Sequence, residues 1–120
     1  MPKLDTRFVE DSDKVDGLDA SQIKPYDYET KNADFTCVAK TLYFVDTTNG
    51  SVTATLPDNP NNFDYIGFVD LKGTFDTNNL IVAIPSGATY TIMGLSENMN
   101  VDVKNASVEL IYYNGDWRVK

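Results

Sequence analysis

The side chains able to do chemistry in this chain are almost all carboxylates. Its 120 residues include no histidine and a single cysteine. That removes the commonest general base, the Ser-His and Cys-His nucleophile pairs and most catalytic zinc sites. What remains is acid–base work by paired aspartates. Asp46, Asp64, Asp70 and Asp76 fall near the ends of apolar runs, and two carboxylates held across a cleft are what a glycoside hydrolase uses. Aspartates at strand ends also cap turns and discourage edge-to-edge pairing. We read these four in that plainer way and assign no catalytic residue. The segment "DSDKVDGLD", Asp11 to Asp19, invites a calcium loop, but its register fails. Counted from Asp11, the fifth position is Val15, the glycine arrives one place late, and Gln22 stands where a bidentate Glu is required. It reads as a solvated acidic linker, so neither a metal site nor a cofactor is expected. Cys37 alternates with Phe35 and Ala39 and reads as a small buried apolar residue.

Binding is the other chemistry on offer. Tyr26, Tyr28, Tyr43, Tyr65, Tyr90, Tyr112 and Tyr113 suit strands and cores, yet exposed rings beside Asn and Asp also form carbohydrate-binding surfaces. Packing is the expected role for most of them. The asparagines Asn49, Asn59, Asn61 and Asn62, in the loops "DTTNG" and "PDNPNN", are the candidate surface contacts. The formal net charge of −8, with 10 scattered Lys and Arg, argues against nucleic acid and against anionic membrane surfaces. No apolar run approaches the roughly 20 residues of a membrane helix. The start, "MPKLDTRFVED", has no apolar block of the kind a signal peptide carries.

Two regions must position these residues. Residues 1–32 are charged, with Leu4, Phe8, Val15, Leu18 and Ile23 widely spaced, and read as an extended arm that orders only against a partner. Residues 33–120 become short β-branched and aromatic runs broken by Gly, Pro and Asn: "DFTCVAK", "TLYFVD", "SVTATLP", "DYIGFVDL", "NLIVAI", "ATYTIM", "MNVDVK", "SVELIYY" and "WRVK". The spacing predicts an all-β domain, a compact antiparallel sandwich or prism of about eight to nine short strands. Asn49-Gly50 and Asn114-Gly115 read as two-residue type I′ hairpins. Val52, Ala54 and Leu56 share one side of a strand, whereas "NLIVAI" and "ELIYY" are apolar on both sides. A small domain covers both faces of a strand most readily by self-association. Leu80, Val82, Ile84, Leu110 and Tyr112 are therefore expected at the shared axis of a homo-oligomer.

Longer stretches carry a resemblance. "YFVDTTNGSVTATLPDNP" (Tyr43 to Pro60), "GTFDTNNLIV" (Gly73 to Val82) and "IMGLSENMNVDVKNASVELIYYNGDWRV" (Ile92 to Val119) resemble, in order, a β domain of tailed-bacteriophage fibre and head-decoration proteins. "KVDGLDAS", Lys14 to Ser21, is similar to linkers of phage tail fibres, with Val15 in place of Leu. "NNFDY" departs from the small Gly-Asp that the family often has after its Leu-Pro loop. The resemblance implies a homotrimer with a structural or adhesive role and no chemistry. With only about thirty residues before the β domain and no long shaft, the expectation is a head-decoration or short head-fibre knob on the virion. Its arm would dock on the major capsid protein or another virion component. The alternative is a tail-fibre tip that recognises a host surface glycan.

Overall fold

A strand with one apolar face must bury it against another layer, and this chain does so by crossing repeatedly between two sheets. The computed structural model describes residues 26–120. Ten strands follow in order: β1 (Asp27–Lys31), β2 (Phe35–Thr36), β3 (Thr41–Val45), β4 (Val52–Thr55), β5 (Tyr65–Asp70), β6 (Leu80–Ala83), β7 (Thr91–Ile92), β8 (Met99–Val101), β9 (Ser107–Tyr113) and β10 (Asp116–Val119). One sheet has six strands in the order β1-β3-β5-β9-β10-β7, and the other has four in the order β2-β4-β6-β8. No helix occurs among the described residues. All nine expected runs hold a strand. The tenth, β1, has the polar sequence DYETK and is mostly exposed, so no hydrophobic pattern announces it. Its backbone pairing with β3 holds it in place, and the β domain therefore begins before residue 33.

The sheets are mixed rather than antiparallel. β1–β3, β3–β5, β2–β4, β4–β6 and β10–β7 pair in parallel, while β5–β9, β9–β10 and β6–β8 are antiparallel. The first six strands thus form three stacked coils, each passing once through both sheets. Glu29, Tyr43 and Phe68 lie side by side in one ladder, and Phe35, Ala54 and Val82 in the other. The ladders continue past the strand ends. Asp46 N–H donates to the Lys31 carbonyl (2.8 Å), Leu71 N–H to Val45 (2.9 Å), Cys37 N–H to Thr55 (2.7 Å) and Leu56 N–H to Ala83 (2.9 Å).

The Asn49-Gly50 hairpin is absent for this reason. β3 and β4 belong to different sheets, and the chain spends residues 46–51 on the crossing. The corner is a turn closed by Gly50 N–H to the Thr47 carbonyl (3.2 Å). Gly50 has φ +149° and Asn49 is not left-handed, whereas a type I′ turn needs positive φ at both central residues. Asn114-Gly115 does form the expected hairpin, with φ +45° and +87° and Tyr113 paired with Asp116.

Between the sheets, Trp117, Tyr43, Phe68, Phe75, Leu56 and Ile66 are fully buried, each worth about 1.5–3 kcal/mol or more on transfer from water. Val52, Ala54 and Leu56 point inward as expected, while Leu42 and Phe44 take the outer, half-buried side of β3. Leu80, Val82 and Leu110 are completely buried in this same core, with Ile84 and Tyr112 packed against it. These side chains are thus covered within one chain, each sheet by the other. Cys37 is buried as expected, and burial pushes its thiol up to about 12, against a small opposing pull from Lys31.

The corner and the hairpin differ in what they ask of asparagine. Asn49→Ala should leave the denaturation midpoint within about 0.5 kcal/mol of the parent. Asn114→Ala should lose about 1 kcal/mol or more, since it forces alanine into left-handed backbone. Equal losses at the two sites in urea melts would contradict the crossing.

Candidate functional site

The loops that join the coils gather at two ends of the sandwich, and the carboxylates behave differently at each. Where β5 ends, Asp70 is buried. Its Oδ1 accepts the Thr74 N–H (3.0 Å), and its Oδ2 accepts Phe75 N–H (3.1 Å) and Asn105 N–H (2.9 Å). Burial works to raise its pKa, but these donors, together with Gly73 N–H, outweigh burial and hold it below the ordinary carboxylate range. One side chain thereby fixes the loop after β5 and the loop before β9. Thr47 Oγ1 and Thr74 Oγ1 share a hydrogen bond of 2.7 Å, and Asn78 Nδ2 donates to the Thr47 carbonyl (2.8 Å). Asn79 Nδ2 donates to the Phe75 carbonyl (2.7 Å). The "TFDTNNL" stretch is therefore a structural brace. Asp46 accepts from the Thr48 hydroxyl (2.6 Å) and N–H (2.9 Å), and these bonds lower its pKa. Asn49 sits on this corner, exposed.

The opposite end is built from residues 57–64, residues 85–90 and the Asn114-Gly115 turn. They surround a cleft of about 370 Å³ that includes Asp58, Asn59, Asn61, Thr89, Tyr90 and Tyr112. Its floor is aromatic. The Tyr90 hydroxyl donates to the Pro57 carbonyl (2.6 Å), and the Tyr90 ring meets Tyr112 and Trp117 edge-on at 5.8 and 6.2 Å. Burial pushes the Tyr90 phenol up to about 12, opposed by the pull of Trp117 and reinforced by Asp58. The Trp117 Nε1–H itself meets no acceptor at hydrogen-bond geometry among the described residues. Asp64 fixes the loop above, its Oδ2 accepting Asn61 N–H (2.9 Å) while its own N–H donates to the Asn61 carbonyl (3.0 Å).

Beside the cleft, Asn62 and Asn114 clasp each other. Asn114 N–H donates to Asn62 Oδ1 (2.9 Å), and Asn62 Nδ2 donates to Asn114 Oδ1 (3.3 Å). Their chain neighbours Phe63, in the turn before β5, and Tyr113, at the end of β9, are 69% and 50% exposed, with ring centroids 5.3 Å apart and planes at 34°. Phe63 has φ +74°, an outlier for a bulky side chain, and is held there by its N–H bond to the Tyr112 carbonyl (2.7 Å).

The structure thus brings Asn59, Asn61 and Asn62 together and leaves Asn49 at the far end. Tyr43 and Tyr90 are core residues, whereas Tyr28 and Tyr113 are exposed. Phe63 is the residue that sequence reasoning missed; its signal was an aromatic among the polar residues Asn61, Asn62 and Asp64 that precede β5. Leu4, Phe8, Val15, Leu18 and Ile23, and the acidic segment Asp11 to Asp19, lie outside the described residues. Among the described residues no cluster of three or more His, Cys, Asp or Glu is placed to hold a metal ion. Comparison with protein-family models finds no match, and comparison with curated protein sequences finds none either.

Asp70 gives the pH test. Its folded-state pKa is depressed, so its contribution is full above the unfolded value of about 3.9 and is lost as pH falls through the folded value. Asp70→Asn should cost about 2–3 kcal/mol at pH 7, because an amide replaces charged acceptors. It should also flatten the acid limb of the stability–pH curve below about pH 4. An unchanged acid limb in urea melts would contradict the brace.

Proposed function

We propose that this protein is a surface component of a tailed-bacteriophage virion: a head-decoration or short head-fibre knob that assembles as a homotrimer. In this reading residues 1–25 anchor it to the major capsid protein or another virion component. The reading starts from the sequence resemblance. The observation that carries it further is the outer face of the six-stranded sheet. Leu42, Phe44, Val69 and Ile111 stand there half-buried, on the side that the second sheet does not cover. Tyr26 packs on the same face, edge-on to Tyr65 at 5.0 Å. Gly67 is side-chain-free beneath them: a Cβ there would fall 2.5 Å from a Leu42 methyl. Tyr26, the first described residue, thus lies on this apolar face, where trimer packing and anchoring would reinforce each other.

The edges of the stack favour the face over the rim as the association surface. β1 carries Asp27, Glu29 and Lys31, with Glu29 and Lys31 paired at 3.2 Å, and charges on an edge strand discourage further strand addition. A net charge of −8 on each copy keeps densely displayed knobs soluble and mutually repelling.

A second reading, a tip that binds a host surface glycan, is favoured by one observation: the cleft and the exposed Phe63–Tyr113 pair lie at one end, on loops held by a rigid scaffold. Tyr113 follows Ile111 by two residues and so points to the same outer side, at the end of β9; the two readings are compatible where the contact between copies stops short of that end.

In native mass measurement the parent chain should run at about three times its 13.4 kDa protomer mass. Phe44→Asp with Ile111→Asp should give a folded monomer, because a charge at an apolar contact is left desolvated. A parent that is monomeric at micromolar concentration contradicts the trimer. Removing residues 1–25, which spares β1, should leave the trimer folded and abolish incorporation into particles; incorporation that persists contradicts the anchor.

A further inference from the structure

Three features of the loop end bear on what binds there. The first is strain. A phenylalanine at φ +74° holds left-handed backbone that disfavours a bulky side chain relative to a residue suited to it. Its ring lies 69% exposed, so core packing offers little return for that cost. Glycine would fit the backbone better, and the sequence has a phenylalanine. The second is the partner ring. Tyr113 sits 5.3 Å away with its plane at 34°, so the two rings pack on each other and leave exposed aromatic surface at the rim. The third is the polar complement. Asn62 and Asn114 satisfy each other only in part, because each amide nitrogen has two hydrogens and the clasp uses one of the four. Asn59 and Asn61 add amides at the cleft beside them.

We infer that Phe63 and Tyr113 form a stacking platform for a neutral saccharide, whose hydroxyls are met by Asn62 and Asn114 and by Asn59 and Asn61 in the adjoining cleft. The inference rests on the glycan-binding reading above and deepens it by giving the site and the ligand class. The apolar face of a pyranose stacks on an aromatic ring, while its equatorial hydroxyls need paired donors and acceptors that amides provide. Charge selects among saccharides. Among the described residues the cleft is lined by Asp58 and by no Lys or Arg, and the whole chain is at −8. A sialic acid or uronate would be repelled and would find no cation to pair with. A neutral hexose or N-acetylhexosamine chain meets no such penalty.

The test is a glycan array that carries neutral hexose and N-acetylhexosamine oligosaccharides beside sialylated and uronate ones, probed with the full chain and with Phe63→Gly, Tyr113→Ala and Asn49→Ala. The parent should bind neutral members and pass over the anionic ones. Phe63→Gly should lose tenfold or more in affinity while its melting temperature holds or rises, a combination that a structural role for the ring does not produce. Tyr113→Ala should lose a similar factor, and Asn49→Ala, at the far end, should bind as the parent does. Neutral-glycan binding that survives Phe63→Gly overturns this site and leaves the glycan reading standing. A parent that binds no member of the array overturns both. Preference for the anionic members overturns the ligand class. If Phe63→Gly instead changes the oligomeric mass, the platform is a contact between copies, and the saccharide assignment fails.

Discussion

The in-register parallel ladder through β1, β3 and β5, matched by β2, β4 and β6, is the constraint on which the rest of the molecule depends. Parallel neighbours cannot be joined by a tight turn, so the chain must leave one sheet and return through another. Each return places an apolar strand of the second sheet opposite the first, and the core fills with Tyr43, Phe68, Val52, Leu80 and Val82. It also forces every connection to one of two ends. The antiparallel β9–β10 hairpin then covers the exposed side of β5, and Trp117 closes the core beneath Tyr90 and Tyr112.

The two ends divide the polar residues unequally. At one, Asp70, Thr47, Thr74, Asn78 and Asn79 spend their hydrogen bonds on neighbouring backbone and on each other. That end is a brace, held by these five side chains, with Asn49 exposed on its corner. At the other, the amides bond enough to hold the loops and keep capacity in reserve, and two large rings face solvent, Phe63 on left-handed backbone and Tyr113 at the end of β9. Unspent polar capacity beside exposed aromatic surface is what the proposed saccharide site rests on.

Much of this was legible in the sequence, and the failures share a cause. Alternation and turn residues located the strands from β2 to β10, because both signals are local. Direction of pairing is not local. Asn49-Gly50 and Asn114-Gly115 look alike between apolar runs, yet one is a corner and the other a hairpin. What separates them is Thr47 and Thr74 meeting across the stack, a contact between residues far apart in the chain. A clue to stacking did exist: Leu56-Pro57 and Ile84-Pro85 follow β4 and β6 in the register that pairs Val52 with Leu80. The apparent "FVD" repeat at residues 44–46 and 68–70 misleads by one position, since Tyr43, not Phe44, lies beside Phe68. A slip of one residue exchanges the faces of a strand. For the same reason the doubly apolar β6 and β9 suggested contacts between copies at side chains that one chain buries by itself.

Coupling across hydrogen bonds in the magnetic resonance spectrum of the isotope-labelled protein tests the stacked coils most directly, because it names donor and acceptor without reference to side chains. The Val45 carbonyl should couple to the amide of Leu71, and the Lys31 carbonyl to the amide of Asp46. Coupling of the Val45 carbonyl to an amide of β4 would mean a hairpin at Asn49-Gly50, and the coil stack, with the two ends it creates, would be wrong.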